Sequence, residues 1–220
     1  MKLKRNHKLI IAADGAAASG KTTGAKLISR KYGLKFLSSG LLYRYASYAI
    51  LKNKPKNEHI FLKKIFKKLN LSKLNRINLH SQKISDHTSL IAKKSKIRNI
   101  LKDFQTRFSK KYNKVCIEGR DIGTVILPKA DIKFFFVCDL NIASKRRFKE
   151  LKKTNRHIKL NDVKKGIKIR NNRDRFRKNS PLIQSKDAVI VRTDKLKNIA
   201  GMIKKLSSDI NRKIKDKYGS

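Results

Sequence analysis

The residues most clearly arranged for chemistry form one short glycine-rich segment near the amino terminus. Residues 15–22 read Gly-Ala-Ala-Ala-Ser-Gly-Lys-Thr and match the pattern G-x-x-x-x-G-K-[ST] at every fixed position. Small residues let the backbone wrap closely around a phosphate, so that successive N–H groups point inward. Lys21 can reach the β- and γ-phosphates of a nucleotide, and the Thr22 hydroxyl can bind Mg²⁺. The segment therefore predicts a nucleotide phosphate site formed by Gly15, Ala16, Ala17, Ala18, Ser19, Gly20, Lys21, Thr22 and Thr23.

A second candidate segment contains Ser39, Gly40, Tyr43 and Arg44, and it opens a predicted helix. The planar guanidinium of an arginine bonds two phosphate oxygens at once, so Arg44 suits a phosphorylated second substrate. Taken alone, the segment could equally be an ordinary surface helix.

A third candidate segment, residues 118–124, reads Glu-Gly-Arg-Asp-Ile-Gly-Thr and follows a predicted strand. α/β proteins place ligands at the carboxyl ends of their strands, so Arg120 and Asp121 are candidate ligand contacts. A solvated turn is the alternative interpretation.

The fourth segment contains four arginines within eight residues: Arg170, Arg173, Arg175 and Arg177. Lysine is the usual cation elsewhere in the chain, so the local change to arginine indicates that bidentate phosphate contacts are needed. An arginine-rich lid that closes over a transferring phosphoryl group would have this composition. In such a basic chain, the same run could also be a solvated face.

The elements that must position these segments alternate between strand and helix, which predicts an α/β domain with a parallel sheet. The apolar run that ends at Ala13 has the composition of a strand buried on both faces. We predict strands at 8–13, 34–37, 115–117, 132–138 and 188–191, and helices at 22–31, 40–52, 59–69, 86–110, 141–153, 162–174 and 196–214. A small hairpin is possible over 76–85, and the tail from Arg212 is expected to fray.

The composition excludes several classes of protein. Lys and Arg number 58 against 15 Asp and Glu, which gives a formal charge of +43. Such a charge suggests a nucleic-acid or polyphosphate partner, but the cations are spread along the whole chain, which favours a generally lysine-rich surface. No apolar run is long enough to cross a membrane. Two cysteines exclude a disulfide scaffold and a cysteine zinc site, and the five histidines lack metal spacing. We expect a cytoplasmic monomer that contacts nucleic acid only nonspecifically through its charge.

The order and spacing of the four segments resemble those of bacterial cytidylate (CMP/dCMP) kinases, which are nucleoside monophosphate kinases. The resemblance runs from about Leu9 to the C-terminal helix. It implies a single domain over 1–220 with a three-layer P-loop kinase fold around a central parallel sheet. It also implies an inserted monophosphate-binding subdomain over 58–86 and an arginine-rich lid over 155–182.

The resemblance also implies roles for individual residues. CMP would be bound by Ser39, Gly40, Tyr43, Arg44, Ser89, Arg98, Arg120, Asp121, Arg170, Asp174 and Arg177, with Ser89 and Arg98 reading the cytosine. Charge on the transferring phosphoryl group would be stabilised by Lys21, Arg120, Arg173, Arg175 and Arg177, and Mg²⁺ would be held through Thr22.

The implied reaction transfers the γ-phosphoryl group of ATP to CMP or dCMP. Because the attacking phosphate oxygen is already anionic at neutral pH, no general base is needed. The chain departs from the family pattern at Ser38, at Glu118, at Asn171-Asn172, and at Thr22, where the family commonly has glycine. A kinase for UMP or AMP and a basic P-loop protein that binds nucleic acid remain alternatives.

Overall fold

The computed structural model describes Lys4 and residues 6–153 and 156–219. Asn155, the first residue of the predicted lid, lies outside the described residues. The secondary structure alternates between strand and helix, as predicted. The strands are β1 (Leu9–Gly15), β2 (Lys35–Ser38), β3 (Lys114–Gly119), β4 (Ile132–Val137) and β5 (Val189–Arg192). The helices are α1 (Lys21–Tyr32), α2 (Ser39–Asn53), α3 (Glu58–Lys67), α4 (Gln82–Ile91), α5 (Ser95–Lys111), α6 (Leu140–Lys152), α7 (Leu160–Phe176) and α8 (Ile199–Tyr218).

The strands form one sheet in the order β2-β3-β1-β4-β5, and β1 pairs in parallel with both β3 and β4. Every residue of β1 is buried, because helices cover both faces of a parallel sheet. The carboxyl ends of β1 and β3 therefore lie side by side, with Asp14 paired to Gly119. The predicted α/β class and central parallel sheet are confirmed.

Contacts divide the chain into two compact units, one of Met1–Leu37 with Tyr112–Ser220 and one of Ser38–Lys111. In the first unit, the apolar side chains of β1 and β4 pack with those of α1 and α8. Phe134 and Phe136 belong to this core and are almost fully buried. The second unit contains helices α2 to α5, with Leu62 and Phe66 of α3 in its interior.

The possible hairpin over 76–85 is wrong. This region contains a short 3-10 helix (Leu71–Arg76) and then the start of α4. The Ser81 hydroxyl accepts a hydrogen bond from the Ile84 N–H, which is a helix N-cap that the weak alternation of apolar residues did not reveal.

The single helix predicted over 86–110 is also wrong, because α4 ends at Ile91 and α5 begins at Ser95. Ile91 and Ile97 are both buried. In one continuous helix, residues six positions apart point to different sides. The break between α4 and α5 lets both side chains reach the interior.

The tail is not frayed, since α8 continues to Tyr218. The Tyr218 ring stacks on His7 with 4.0 Å between ring centroids, and the Lys217 ammonium lies 2.7 Å from the Asp131 carboxylate. These contacts hold the last helical turn in place. Among the described residues, no helix has the length and apolar character needed to cross a membrane.

Candidate functional site

The phosphate loop (Gly15–Thr22) connects β1 to α1, as the motif predicts. A Cβ at Gly15 would lie only 2.4 Å from the carbonyl oxygen of Phe136, so β4 leaves room for glycine alone. Gly20 and Ala18 have left-handed backbone, with φ of 79° and 57°. Glycine adopts this conformation without cost, whereas alanine is strained by about 1 kcal/mol. The tight curvature of the loop backbone therefore depends on the close approach of β4 as well as on the residues of the motif.

The carboxyl end of the loop is braced by Thr193, which follows β5. The Thr193 hydroxyl donates a hydrogen bond of 3.0 Å to the Ser19 carbonyl oxygen. Arg146 in turn donates to the Thr193 carbonyl oxygen at 2.9 Å. These contacts join the loop to α6 and to the segment after β5.

Lys21 is buried at the start of α1. Its ammonium lies 3.4 Å from the Ala16 carbonyl oxygen and 3.8 Å from the Glu118 carboxylate. Burial, together with the smaller effects of the Arg120 and Arg170 charges, lowers the pKa of Lys21 to about 7, while the Glu118 carboxylate acts in the opposite direction. Because burial and neighbouring positive charges disfavour the charged form of Lys21, a polyanion bound beside it would be stabilising.

Asp14 is a candidate positioning residue that the sequence analysis missed. Its two carboxylate oxygens accept hydrogen bonds from the backbone N–H groups of Ile122, at 2.8 Å, and Gly123, at 2.7 Å. Burial raises the pKa of Asp14 to about 6, although both hydrogen bonds act in the opposite direction. Asp14 thereby fixes the turn that carries Arg120 and Asp121 against the start of the phosphate loop. The only signal in the sequence is an acidic residue at the end of an apolar run.

The candidate residues that follow β3 form an ionic cluster with the end of α7. The Arg120 side chain lies 2.8 Å from the Asp174 carboxylate. Arg177 lies 3.6 Å from Asp174 and 3.7 Å from Asp121. Burial acts to raise the pKa of Asp174, but the positive charges of Arg120, Arg170 and Arg177 outweigh it, so the pKa is lowered. Two candidate segments are therefore brought together: Arg120 and Asp121 come from the segment after β3, and Asp174 and Arg177 come from the arginine-rich segment.

Helix α7 presents one face to these groups. Val163, Ile167, Asn171 and Asp174 are spaced three or four residues apart, which places them on one side of the helix, here called the inner face. Val163 and Ile167 pack with Ala17, and the Ala17 N–H donates a hydrogen bond of 2.9 Å to the Asn171 side-chain oxygen. Asn172, Arg173 and Arg175 are exposed. These three residues form what we call the outer face, a term that refers to their exposure and not to helical spacing, because Arg175 follows Asn171 by one helical turn.

In the second unit, α2 begins at Ser39, and the preceding Ser38 hydroxyl accepts a hydrogen bond from the Leu41 N–H. Ser39 and Tyr43 are buried, whereas Gly40 is exposed. The guanidinium of Arg44 donates to the Leu79 carbonyl oxygen at 3.0 Å and to the Ser85 hydroxyl at 2.8 Å. Arg44 is therefore fixed in orientation by the segment that leads into α4.

Arg98 is buried in the first turn of α5. It donates to the Ala92 carbonyl oxygen at 3.3 Å, and its guanidinium carbon lies 5.7 Å from the centre of the Tyr43 ring. Ser89, in the last turn of α4, donates to the Ser85 carbonyl oxygen at 3.4 Å. Within the second unit, Tyr43 and Arg98 are thus neighbours, although they are far apart in sequence.

The described residues contain no group of three or more histidine, cysteine or acidic side chains that could hold a metal ion. Cys116 is fully buried, and burial raises the pKa of its thiol to about 12, as expected of an apolar core residue. Thr22, in the first turn of α1, is the candidate metal ligand.

The model of the family described as "Cytidylate kinase" matches residues 11–212. The chain belongs to the cytidylate kinase family. The match spans the phosphate loop, the ionic cluster and both candidate arginines of the second unit. Membership confirms the predicted activity, an ATP-dependent kinase that phosphorylates CMP or dCMP.

Individual relatives agree with this assignment. The cytidylate kinase of Rickettsia canadensis (strain McKiel) is 35% identical over 190 residues, which cover 86% of each chain. That of Clostridium botulinum (strain Hall) is 38% identical over 194 residues, which cover 83% of this chain and 89% of the relative.

Solved structures share the fold at low sequence identity. TT1252 from Thermus thermophilus superposes with a TM-score of 0.53 at 14% identity and covers 95% of this chain and 99% of its own. An uncharacterized protein from Eubacterium ventriosum gives a TM-score of 0.54 at 16% identity, covering 93% of this chain and 99% of its own. These two structures support the fold described above.

Proposed function

We propose that this chain binds ATP through residues 15–23 and binds the acceptor phosphate through Arg120 and Arg177. The observation that carries the proposal is the ionic cluster of Arg120, Asp121, Asp174 and Arg177 in the same unit as buried Lys21. Arginine pairs bind phosphate oxygens in a bidentate manner, and carboxylates keep such arginines oriented.

The reaction is an in-line displacement. An oxygen of the CMP phosphate attacks the γ-phosphorus of ATP, a new P–O bond forms, and the bond to the β,γ-bridging oxygen breaks, so that ADP leaves with that electron pair. No proton has to move in this step. The protein contributes alignment and neutralisation of charge. We assign the neutralisation to Lys21, Arg120 and Arg177.

Arg173 and Arg175 remain predicted contributors to charge stabilisation. Both are exposed on the outer face of α7, and no hydrogen bond or ion pair holds either side chain within the described residues. Their roles depend on contacts with the transferring group alone, so we expect them to matter less than Arg120 and Arg177.

Mg²⁺ is the proposed cofactor, held through the Thr22 hydroxyl together with ATP phosphates and water. The donor set fits this ion, because Mg²⁺ usually keeps several waters and binds substrate phosphates rather than an all-protein cage. The lack of a cluster of acidic or histidine ligands in the described parts of the chain agrees with that preference. When bound, the ion supplies charge neutralisation at the phosphates.

For CMP we propose further contacts from Ser39, Gly40, Tyr43, Arg44, Ser89 and Arg98, and from Asp121, Arg170 and Asp174. Ser89 and Arg98 are assigned to the cytosine. The hydrogen bond from Arg98 to Ala92 and its position over Tyr43 support this, because a guanidinium held in one orientation can discriminate between base edges.

Initial rates of ADP production with ATP and Mg²⁺ test the proposal, using CMP, dCMP, UMP, AMP and GMP as acceptors. Strong turnover on CMP and dCMP alone is expected. Preference for another monophosphate would reject the base assignment of Ser89 and Arg98. No turnover with any acceptor, from folded protein that binds ATP, would reject the proposed site.

The proposal includes a monomer that works in the cytoplasm, where ATP and free nucleoside monophosphates meet. Any binding of nucleic acid is expected to be weak and nonspecific, and to disappear with added salt. Tight RNA binding at physiological salt would instead favour a second function.

A further inference from the structure

A single π-helical turn, Ile122–Ile126, immediately follows Asp121. The first N–H groups of a helical segment have no carbonyl partner within that segment. In this turn, the N–H groups of Ile122 and Gly123 donate to the two carboxylate oxygens of Asp14 at 2.8 Å and 2.7 Å. Asp14 therefore supplies, from the end of β1, the acceptors that the turn itself lacks.

The turn also has little room to shift away from Asp14. A Cβ at Gly123 would lie 3.3 Å from a carboxylate oxygen of Asp14 and 3.1 Å from the Cδ atom of Lys133 on β4. Lys133 is buried, and its ammonium lies 3.0 Å from the Asp187 carboxylate. The turn therefore packs against side chains from both β1 and β4.

The charge of Asp14 suits two N–H donors. Burial raises the pKa of Asp14 to about 6, which leaves the side chain ionised at pH 7, and of the two nearby charges Asp121 raises the pKa and Arg120 lowers it. An ionised carboxylate can only accept hydrogen bonds. An asparagine of the same shape would offer one oxygen and would turn its amide nitrogen toward the second N–H.

We propose that Asp14 is a positioning residue for the acceptor phosphate. By holding the π-helical turn against the end of β1, its carboxylate fixes where the Arg120 guanidinium lies relative to the phosphate loop, which begins at the next residue. The strand that leads into the donor site thereby also sets the acceptor site. The inference rests on the proposed assignment of Arg120 to the acceptor phosphate. Asp14 acts through the turn and not by touching either substrate.

Replacing Asp14 with asparagine tests this role. In D14N, one of the two N–H groups loses its acceptor and Arg120 shifts with the turn. We expect kcat/KM for CMP to fall about 30-fold, because a misplacement of about 1 Å can cost about 10² in rate. KM for ATP should stay within about threefold of the wild type, since the loop keeps its hydrogen bond to Thr193. Initial rates with each substrate varied in turn measure both quantities.

Asp131 provides a matched control at the other end of β1. Its carboxylate accepts the Ile10 N–H at 2.7 Å and lies 2.7 Å from the Lys217 ammonium. D131N makes the same chemical change to a carboxylate that holds the same strand, away from the residues assigned to either substrate. It should lower Tm and leave kcat and both KM values within about twofold of the wild type. Far-UV circular dichroism at the assay temperature establishes that each variant is folded.

A double-mutant cycle with R120A separates the positioning of Arg120 from a general loss of structure. R120A alone should lower kcat/KM for CMP by about 10²–10³, because a preorganised charge contact is lost. In the R120A background, D14N should lower kcat/KM by less than about threefold. A further 30-fold loss in the double variant would mean that Asp14 does not act through Arg120.

If D14N does not fold, G123A disturbs the same contact from the side of the turn, because its Cβ would crowd Asp14 and Lys133. We expect G123A to lower kcat/KM for CMP about tenfold, an effect that should also nearly disappear in the R120A background. G201A is the control, since its Cβ would make only an ordinary contact of 3.6 Å with Asn198. It should leave the kinetics within about twofold of the wild type.

The results that would overturn the inference differ from those that would contradict the proposed function. An unchanged kcat/KM for CMP in D14N, or in G123A where D14N does not fold, would overturn the inference. A rise in KM for ATP that exceeds the loss for CMP would do the same, because Asp14 would then serve the donor. Unchanged kinetics in R120A, or inactivity of the wild type with all five monophosphates, would instead contradict the proposed function.

Discussion

The inner and outer faces of α7 are supplied by the same short run of sequence, yet they have different environments. On the inner face, Asn171 contacts the phosphate loop, and Asp174 lies 2.8 Å from Arg120. On the outer face, Arg173 and Arg175 are exposed. The exposure of a side chain, rather than its type, separates the residues of α7 that meet the site from those that do not. An arginine-rich segment therefore does not contribute all its arginines equally.

The largest effect is expected at Arg177, which follows α7 and joins the ionic cluster of its inner face. We expect R177A to lower kcat by about 10²–10³, because a preorganised charge contact is lost. K168A removes an exposed cation of α7 and serves as the control, with kcat within about twofold of the wild type. A decline of less than threefold in R177A would count against its assigned role.

The free energy of unfolding of variants at Asp174 and Asp162 tests whether the buried and exposed carboxylates of α7 differ in their contribution to stability. D174N leaves Arg120 and Arg177 without their shared carboxylate, so we expect the free energy of unfolding to fall by about 3 kcal/mol at pH 7. D162N makes the same charge change at an exposed position in the first turn of α7 and should cost about 0.5 kcal/mol. Equal losses in urea denaturation would show that the cluster adds nothing beyond general charge.

The effect of D174N also has a defined pH dependence. The pKa of Asp174 is lowered in the folded protein, so its contribution to stability is present above its unfolded pKa of 3.8. That contribution is lost as the pH falls through the folded value. The difference between the wild type and D174N should therefore shrink in acid.

Lys21, at the start of α1, allows nucleotide binding to be measured through proton uptake. Its pKa of about 7 means that the side chain is largely neutral at pH 8 without nucleotide. Bound triphosphate favours the charged form, so ATP binding at pH 8 should take up most of one proton. Calorimetry in buffers of different ionisation enthalpy measures this uptake, with K21M as the control. No buffer dependence in the wild type would mean that Lys21 is already charged.

The smallest effects are expected from the outer face. R173A and R175A should each lower kcat by only a few-fold, because both side chains are exposed and are not preorganised as Arg120 and Arg177 are. A loss of 10² or more in either variant would end the distinction between the faces. It would mean that α7 changes its orientation during the reaction.

Much of the fold followed from local sequence patterns. The apolar run before the phosphate loop became β1, and the strand predicted over 132–138 became β4, whose Phe134 and Phe136 lie in the core. These predictions succeeded because strands buried on both faces have a composition that can be read in a few residues. The weaker pattern over 76–85 failed, since one N-cap at Ser81 outweighed it.

The site was less predictable than the fold. Asp14 was missed because its partners, Ile122 and Gly123, lie more than a hundred residues away and offer backbone N–H groups, which no residue type identifies. The ordered C-terminus was missed for a similar reason, since Tyr218 is held by contacts with residues at the other end of the chain.

The amino-acid sequence alone established the phosphate loop, the alternation of strands and helices, and the four segments shared with cytidylate kinases. Each of these depends on residues close together in the chain. The pairing of Asp174 with Arg120, the buried carboxylate of Asp14 and the division of α7 into two faces emerged only on folding. Burial and distance between remote segments set those features, because electrostatic and hydrogen-bond energies depend on where side chains meet in space.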